Sequence, residues 1–285
     1  RGGTLRCRSG GSCVSADSAA SVIEEELPSS LDLDAVSAAS AALWNDELRV
    51  LVPEGATEDQ LTTLYSNLYR LFLYPSDVTE TGVDGAAVHA RLDGRGGFSD
   101  GAAYANNGFW DTYRTSWPAY ALLRPRLAGA LADGFLQHYR DYGWMPRWSA
   151  PGPANAMVGT NSDIIFADLA VKGIGGYDRL TALEASIANA TIVPPSPNVG
   201  RKGLPQTNYL QYTPQSIDES VSWSLENSLN DFGIAVQLAE AGRPDGYFRS
   251  RAARYQRLFD PDVGFFRGRD AGGAFRAAQF DPLEW

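Results

Sequence analysis

Apolar residues recur at helical spacing through most of the 285-residue chain, interrupted by two long polar stretches rich in Gly, Pro, Asp and Asn. Ser15 or Asp17 can cap a first helix that runs to Leu27 and is stopped by Pro28. The next fits 33–48, with Val36, Ala39, Leu43 and Trp44 on one face. A brief strand over 49–52 follows. Thr57-Glu-Asp-Gln60 is then a capping-box pattern that opens a helix to about Leu73. Residues 75–108 read as a loop, and a loop of that length in a compact chain has a task or hides short strands. Helical spacing resumes near Asp111 and continues around Pro118 to Leu123. Pro125 starts a helix to Tyr142, Asn161 caps one to Val171, and Asp178 caps one to Ala190. A second long loop spans 192–215. Helices then fit 216–241 and 244–259, and 265–285 reads as irregular. At the front, Thr4-Leu-Arg-Cys-Arg8 alternates like a short strand and breaks at Gly10-Gly11.

Roughly eight or nine helices paired in sequence imply stacked helical hairpins, as a toroid or a solenoid. No internal repeat supports a solenoid, so the expected fold is mainly α, part of an (α/α) toroid. Hydrophobic residues make up 44% and charged residues 20% of the chain, which is the composition of a packed globular protein. No apolar run approaches the ~20 residues that span a bilayer. The first residues lack the apolar region of an export signal, so any such signal was removed or lies outside this sequence.

The net charge of −10 argues against nucleic acid and anionic membrane as partners, because both require a basic footprint. Lys172 and Lys202 are the only lysines among 24 basic residues, which reads as coding bias rather than as many bidentate Arg sites. Cys7 and Cys13 would lie about 20 Å apart on one strand, so a disulfide needs the chain to fold back at Gly10-Gly11. Two small strand side chains are the simpler reading.

Several chemistries drop out. There is no P-loop and no G-x-S-x-G elbow, and Gly173-Ile-Gly-Gly176 lacks dinucleotide context. His89 and His138 are the only histidines, and His138 shares a helical face with Phe135 and Tyr142. Four scattered His and Cys residues do not make a zinc site. Asp93-Gly-Arg-Gly lacks the ligand spacing of a calcium loop. What remains is a concentration of aromatic, amide, carboxylate and guanidinium groups. It occurs at Asn106-Asn-Gly-Phe-Trp-Asp-Thr-Tyr-Arg-Thr115, Gly143-Trp-Met-Pro-Arg-Trp148, Gly159-Thr-Asn-Ser-Asp163 and Ser222-Trp-Ser-Leu-Glu226. Aromatic planes rimmed by such groups suit sugars, which present apolar C–H faces edged by hydroxyls. By composition alone, core filling by the Trp residues explains the clusters equally well. Their position at loop-to-helix junctions favours a site, because alternate junctions of a toroid gather on one face. Asp163 also has a competing task in stabilising a helix N-terminus.

At these clusters the chain resembles glycoside hydrolase family 92, the calcium-dependent, inverting exo-α-mannosidases. The motifs are Leu68-Tyr-Arg-Leu-Phe-Leu-Tyr-Pro75, Gly108-Phe-Trp-Asp-Thr-Tyr-Arg-Thr115, Gly143-Trp-Met-Pro-Arg-Trp148 and Val158-Gly-Thr-Asn-Ser-Asp163. Further along come Ala167-Asp168, Val171-Lys-Gly173, Gly200-Arg-Lys-Gly-Leu204, Leu258-Phe-Asp-Pro261 and Gly264-Phe-Phe-Arg-Gly268. They occur in order along essentially the whole chain.

The resemblance implies that 1–15 end an N-terminal β-sandwich, 16–50 form linker helices, and 51–285 begin an (α/α)6 catalytic barrel. It further implies an internal portion of a secreted enzyme, with the general acid, the general base and most Ca2+ ligands after Trp285. The rest of the barrel would then be this chain's structural partner, and a half toroid alone would aggregate. The implied substrate is terminal α-linked mannose on oligomannose or N-glycan chains. Trp110 and Asp111 match the family's sugar-contacting pair, and Arg114, Asn161 and Asp163 are further substrate-binding candidates. The Asn-Gly-Phe before Trp110 is similar to a branch that includes enzymes uncapping mannosyl-phosphate. Arg201-Lys202 would suit such a phosphate, although a solvent-facing basic loop is the plainer reading. A non-catalytic carbohydrate-binding helical domain is the alternative from another class.

Overall fold

The computed structural model describes residues 7–82, 84–277 and 279–281. The chain is mainly helical and divides into two compact units, 1–104 and 105–285.

In the first unit, α1 (Ala16–Glu26) starts where Ser15 accepts from the Ser18 amide, and α2 (Leu33–Leu48) where Asp32 accepts from that of Ala35. The start of α3 (Glu58–Leu71) is the predicted capping box: Thr57 accepts from the Gln60 amide, and the Gln60 side chain accepts from the Thr57 amide. Replacing Thr57 with Ala removes the side-chain acceptor of this exchange, leaving only the Thr57 amide bonded to Gln60, and is expected to lower stability by about 1 kcal/mol. A urea titration would measure this, and an unchanged midpoint would show that the box is idle. The face predicted for α2 is only lightly covered. Trp44 packs edge-on to Tyr69 of α3 with ring centroids 4.4 Å apart, whereas Leu33 and Leu43 remain exposed.

Residues 49–52 form a turn and coil rather than the predicted strand; the Leu51 amide bonds back to the Leu48 carbonyl, and Tyr65 donates to the Leu51 carbonyl. The long loop does hide short strands. An antiparallel sheet runs in the order β2 (Thr79–Thr81), β3 (Ala87–Ala90), β4 (Phe98–Asp100), with Thr79 opposite His89 and Ala90 opposite Phe98. The two-residue strands β1 (Ser76–Asp77) and β5 (Tyr104–Ala105) flank it in sequence. The predicted strand over 4–8 falls partly outside the described residues. Cys7 and Cys13 lie in no strand and are exposed and free, which corrects the strand reading and shows no disulfide.

The second unit opens with β6 (Asn107–Gly108), which pairs antiparallel with β7 (Trp148–Ser149), and continues directly into α4 (Phe109–Thr112). The single helix predicted near Asp111 is in fact two, because α5 begins again at Ser116 and runs to Leu123. Pro118 therefore falls in the first turn of α5, where its missing N–H breaks no intrahelical bond. α6 (Pro125–Tyr142) has the predicted Pro at its start and ends on Gly143 at φ +78. α7 (Ser162–Val171) and α8 (Arg179–Thr191) lie where predicted, and Asp178 caps α8 through the amides of Leu180 and Thr181. A short α9 (Leu204–Leu210) interrupts the second predicted loop. The long helix is α10 (Ser220–Glu240); α11 (Gly246–Ala252) follows and tightens into a 3-10 turn (Ala253–Leu258). The tail is less irregular than expected, because β8 (Phe259–Asp260) pairs with β9 (Phe265–Phe266).

α10 is the central element, packed by α7, α8 and α11. Leu183 and Ala190 of α8, Ile234, Ala235 and Leu238 of α10 and Phe248 of α11 form one buried cluster. A second rests on Phe135 of α6, which meets Phe109 at 5.1 Å and Trp117 at 6.1 Å, with His138 stacked on it at 5.8 Å. His138 is thus a core residue, as its helical register predicts. Among the described residues no helix is long and apolar enough to cross a membrane.

Candidate sugar-binding site

The β6–β7 pairing aims α4. It drives Phe109 into the core at 1% exposure and leaves Trp110 half-buried, with Asp111 and Arg114 exposed. The turn is pinned by side chains: the Thr112 hydroxyl donates to the Gly108 carbonyl and the Thr115 hydroxyl to that of Asp111. Gly108 is a point of close approach. A Cβ there would lie 2.5 Å from the Trp148 ring and 2.8 Å from the Asp111 carboxylate. The half-buried Trp148 ring and Asp111 thus flank the start of α4 together.

Arg114 lies one turn after Trp110, and its guanidinium stacks 4.6 Å from the Trp110 ring and 4.4 Å from that of Tyr113. It also reaches Glu226 on α10, with Nη2 to Oε1 at 3.7 Å. The Arg114 side chain is 45% exposed, so this pair contributes well under 1 kcal/mol and serves mainly to orient. Burial pushes the Glu226 carboxyl above its ordinary range, opposed first by Arg114 and then by the Trp110 indole and the Asn161 amide. Burial likewise raises Tyr113, and the Glu226 charge adds to that while Arg114 opposes it. Beside Glu226, Gly159 sits at φ +79, a conformation open to Gly, and a Cβ there would lie 3.0 Å from the Glu226 Cβ and 3.1 Å from the Asn161 amide nitrogen.

Asn161 and Asp163 face inward instead. Asn161 stands at the start of α7 but makes no side-chain cap, contrary to its predicted role. Its amide donates to the Val158 carbonyl and accepts from Asn230 of α10, whose Oδ1 takes the Thr160 amide. Asp163 is fully buried; it accepts from the Thr160 hydroxyl at 2.6 Å and the Asn189 amide at 3.2 Å, and pairs with Arg201 at 3.4 Å. Burial raises its carboxyl to about 6, with the Arg201 charge as the largest opposing influence. Sugar cannot reach Asp163 in this arrangement. Arg201 corrects a second reading: it is buried between Asp163 and Asp231, whereas only Lys202 faces solvent, near Asp218 and Glu219.

The aromatic clusters also divide. Trp223 and Trp144 are buried and fill the core, so the core reading holds for them. The Arg147 guanidinium lies 4.9 Å over Trp223 and donates to the Pro197 carbonyl and to Asn155, tying two loops together. Its burial lowers it to about 10, with Glu219 opposing. Trp110 and Trp148 are the two that open toward the site. Glu226 ends the Ser222–Glu226 cluster yet carries no sign in the local sequence that it faces Trp110.

No group of three or more His, Cys, Asp and Glu side chains among the described residues could hold a metal ion.

A family model described as the glycosyl hydrolase family 92 catalytic domain matches residues 18–285. The chain is 33% identical to a family GH92 inverting mannosidase from Bacteroides thetaiotaomicron, with TM-score 0.91, covering 96% of this chain and 37% of that one. A GH92 α-mannosidase of the same organism is 28% identical with TM-score 0.77, over 96% of this chain and 36% of that one. A protein of Arthroderma benhamiae named an uncharacterized secreted glycosidase is 25% identical over 94% of this chain and 32% of its own length. The chain thus spans about a third of the length of the relatives it matches. With the family model covering nearly all of it, the chain belongs to glycosyl hydrolase family 92.

Proposed function

We propose that this chain supplies the sugar-holding part of a secreted exo-α-mannosidase that releases terminal α-linked mannose with inversion. The observation that carries the reading is the pairing of a half-buried Trp110 with an exposed Asp111 at the start of α4, walled by Trp148 and faced by Glu226. In this reading the indole supports the apolar C–H face of the sugar, and the Asp111 carboxylate accepts from its hydroxyls. The domain reading belongs to the proposal as well: 1–15 as the end of a sandwich, 16–50 as linker helices and 51–285 as part of an (α/α)6 barrel. So does calcium dependence, although no group of three or more His, Cys, Asp and Glu side chains among the described residues could hold the ion.

Inverting hydrolysis needs an acid and a base roughly 6.5–9.5 Å apart on opposite sides of the scissile bond. Asp111 is a group that holds the ring, not a member of that pair. The mannosyl-phosphate reading loses one of its two candidate cations, because Arg201 is engaged by Asp163 and Asp231, whereas Lys202 faces solvent near Asp218 and Glu219.

Steady-state hydrolysis of an aryl α-mannoside and of oligomannose tests the proposal on the protein as its gene encodes it. Asp111→Ala is expected to lower kcat/KM by about 10- to 100-fold, the loss of one or two hydrogen bonds to a charged acceptor. Activity that survives this change would remove Asp111 from the site. Sugar binding without turnover of any mannoside or mannosyl-phosphate would favour a binding domain.

A further inference from the structure

The Trp110 indole N–H and Oε2 of Glu226 are buried and make no hydrogen bond of full geometry, although the indole and the Asn161 amide both lie close enough to the carboxylate to lower it. They are of opposite sense, one a donor and the other an acceptor. The other carboxylate oxygen, Oε1, is held toward the Arg114 guanidinium, which orients Glu226. The Glu226 side chain is only 16% exposed, and native structures rarely bury such atoms unsatisfied. A hydroxyl both donates and accepts, so one hydroxyl can answer both atoms at once. A metal ion would answer only the carboxylate, and no metal-holding group of three side chains is present among the described residues.

We propose that Glu226 is a second hydroxyl-accepting carboxylate of the sugar site, taking one ring hydroxyl of the bound mannose that also accepts from the Trp110 indole N–H. Asp111 and Glu226 then grip different hydroxyls, from α4 and from α10. Arg114 acts as a positioning residue, because it holds Oε1 and stacks on Trp110 at the same time. The packing behind supports this. Asn161, locked by Asn230 and the Val158 carbonyl, stands next to Glu226, so the carboxylate has a fixed backing and little room to turn away. This inference rests on the proposed mannose-binding role of Trp110 and Asp111.

The test measures binding of methyl α-mannoside and its four monodeoxy analogues to the protein encoded by the full gene, by calorimetry or tryptophan fluorescence. Glu226→Gln is expected to weaken methyl α-mannoside by on the order of tenfold. In the wild-type protein one deoxy analogue should bind about tenfold more weakly than the parent. In Glu226→Gln that same analogue should show no further loss, because the hydroxyl and its acceptor form one coupled pair. Glu226→Asp serves as a second variant if Gln disturbs folding, and should show the same selective loss of coupling. Unchanged binding in Glu226→Gln, or an equal loss across all four analogues, would overturn the inference. If Trp110→Ala and Asp111→Ala abolish binding while Glu226→Gln leaves it intact, only the role of Glu226 falls. If the wild-type protein does not bind methyl α-mannoside, the mannose-binding reading falls and this one with it.

Discussion

Asp231→Ala is expected to lower the free energy of unfolding by about 3–5 kcal/mol, the range for removing one partner of a buried ion pair. Asp231 accepts from Arg201 at 2.7 Å through one oxygen and from Arg251 at 2.8 Å through the other. All three side chains are at most 3% exposed. Alanine would leave Arg251 with the Ala190 carbonyl and the Tyr247 hydroxyl, and Arg201 with the longer contact to Asp163. The cost comes from desolvated cations losing their anion, not from a small cavity. The exposed Lys172–Asp168 pair is the control. It is short, at 2.6 Å, yet roughly a third exposed on each side, so Asp168→Ala should cost under about 1 kcal/mol. Urea unfolding of both variants measures the contrast. Equal losses would show that burial does not govern the strength of these pairs.

That ion chain also shows where the sequence stops being readable. Helix starts were legible because their chemistry is local: Ser15, Thr57 and Asp178 cap helices within three residues of themselves. Pro125 and Gly143 bracket α6 for the same reason. Arg201 was misread because its partners lie 30 and 38 residues away, and a Gly-flanked Arg-Lys pair looks solvated until Asp163 and Asp231 are brought to it. Asn161 stands at a helix start, but nothing local says that Asn230 will claim its side chain 69 residues on. α9 was hidden because it is only seven residues long, bounded by Gly203 and Gln211, both at positive φ.

For the site, Trp110, Asp111 and Arg114 were legible as one helical turn. Glu226 needed a longer view. Glu226, Asn230 and Gln237 recur at helical spacing on α10, and Gln237 donates to the Asp163 carbonyl just as Asn230 serves the loop before α7. A polar stripe on this long helix was therefore visible in the sequence. Its partner, the start of α7, became clear only when the two elements were packed together.

The glycine at the waist of α6 gives the other large effect, and here two forces of opposite sign compete. A Cβ on Gly129 would fall 1.9 Å from the Gly175 carbonyl oxygen, 3.1 Å from its carbon and 3.4 Å from the Gly176 Cα. On helix propensity alone, Gly129→Ala in the interior of α6 would stabilise by about 1 kcal/mol. The overlap is with main chain, which cannot rotate out of the way as a side chain would. Relief requires the segment after α7 to move by more than an ångström, and overpacking on that scale costs about 3 kcal/mol or more. The steric effect wins, and a net loss of roughly 2 kcal/mol is expected in thermal or urea unfolding. Gly246→Ala isolates the opposite sign. Gly246 opens α11 without positive φ and has nothing within 4 Å of its Cβ position, so alanine there should be neutral or stabilise by up to about 1 kcal/mol. If Gly129→Ala proved as benign as Gly246→Ala, the close passage of α6 over Gly175 would be wrong. The docking of α6 against the connection from α7 to α8 would then have to be redrawn.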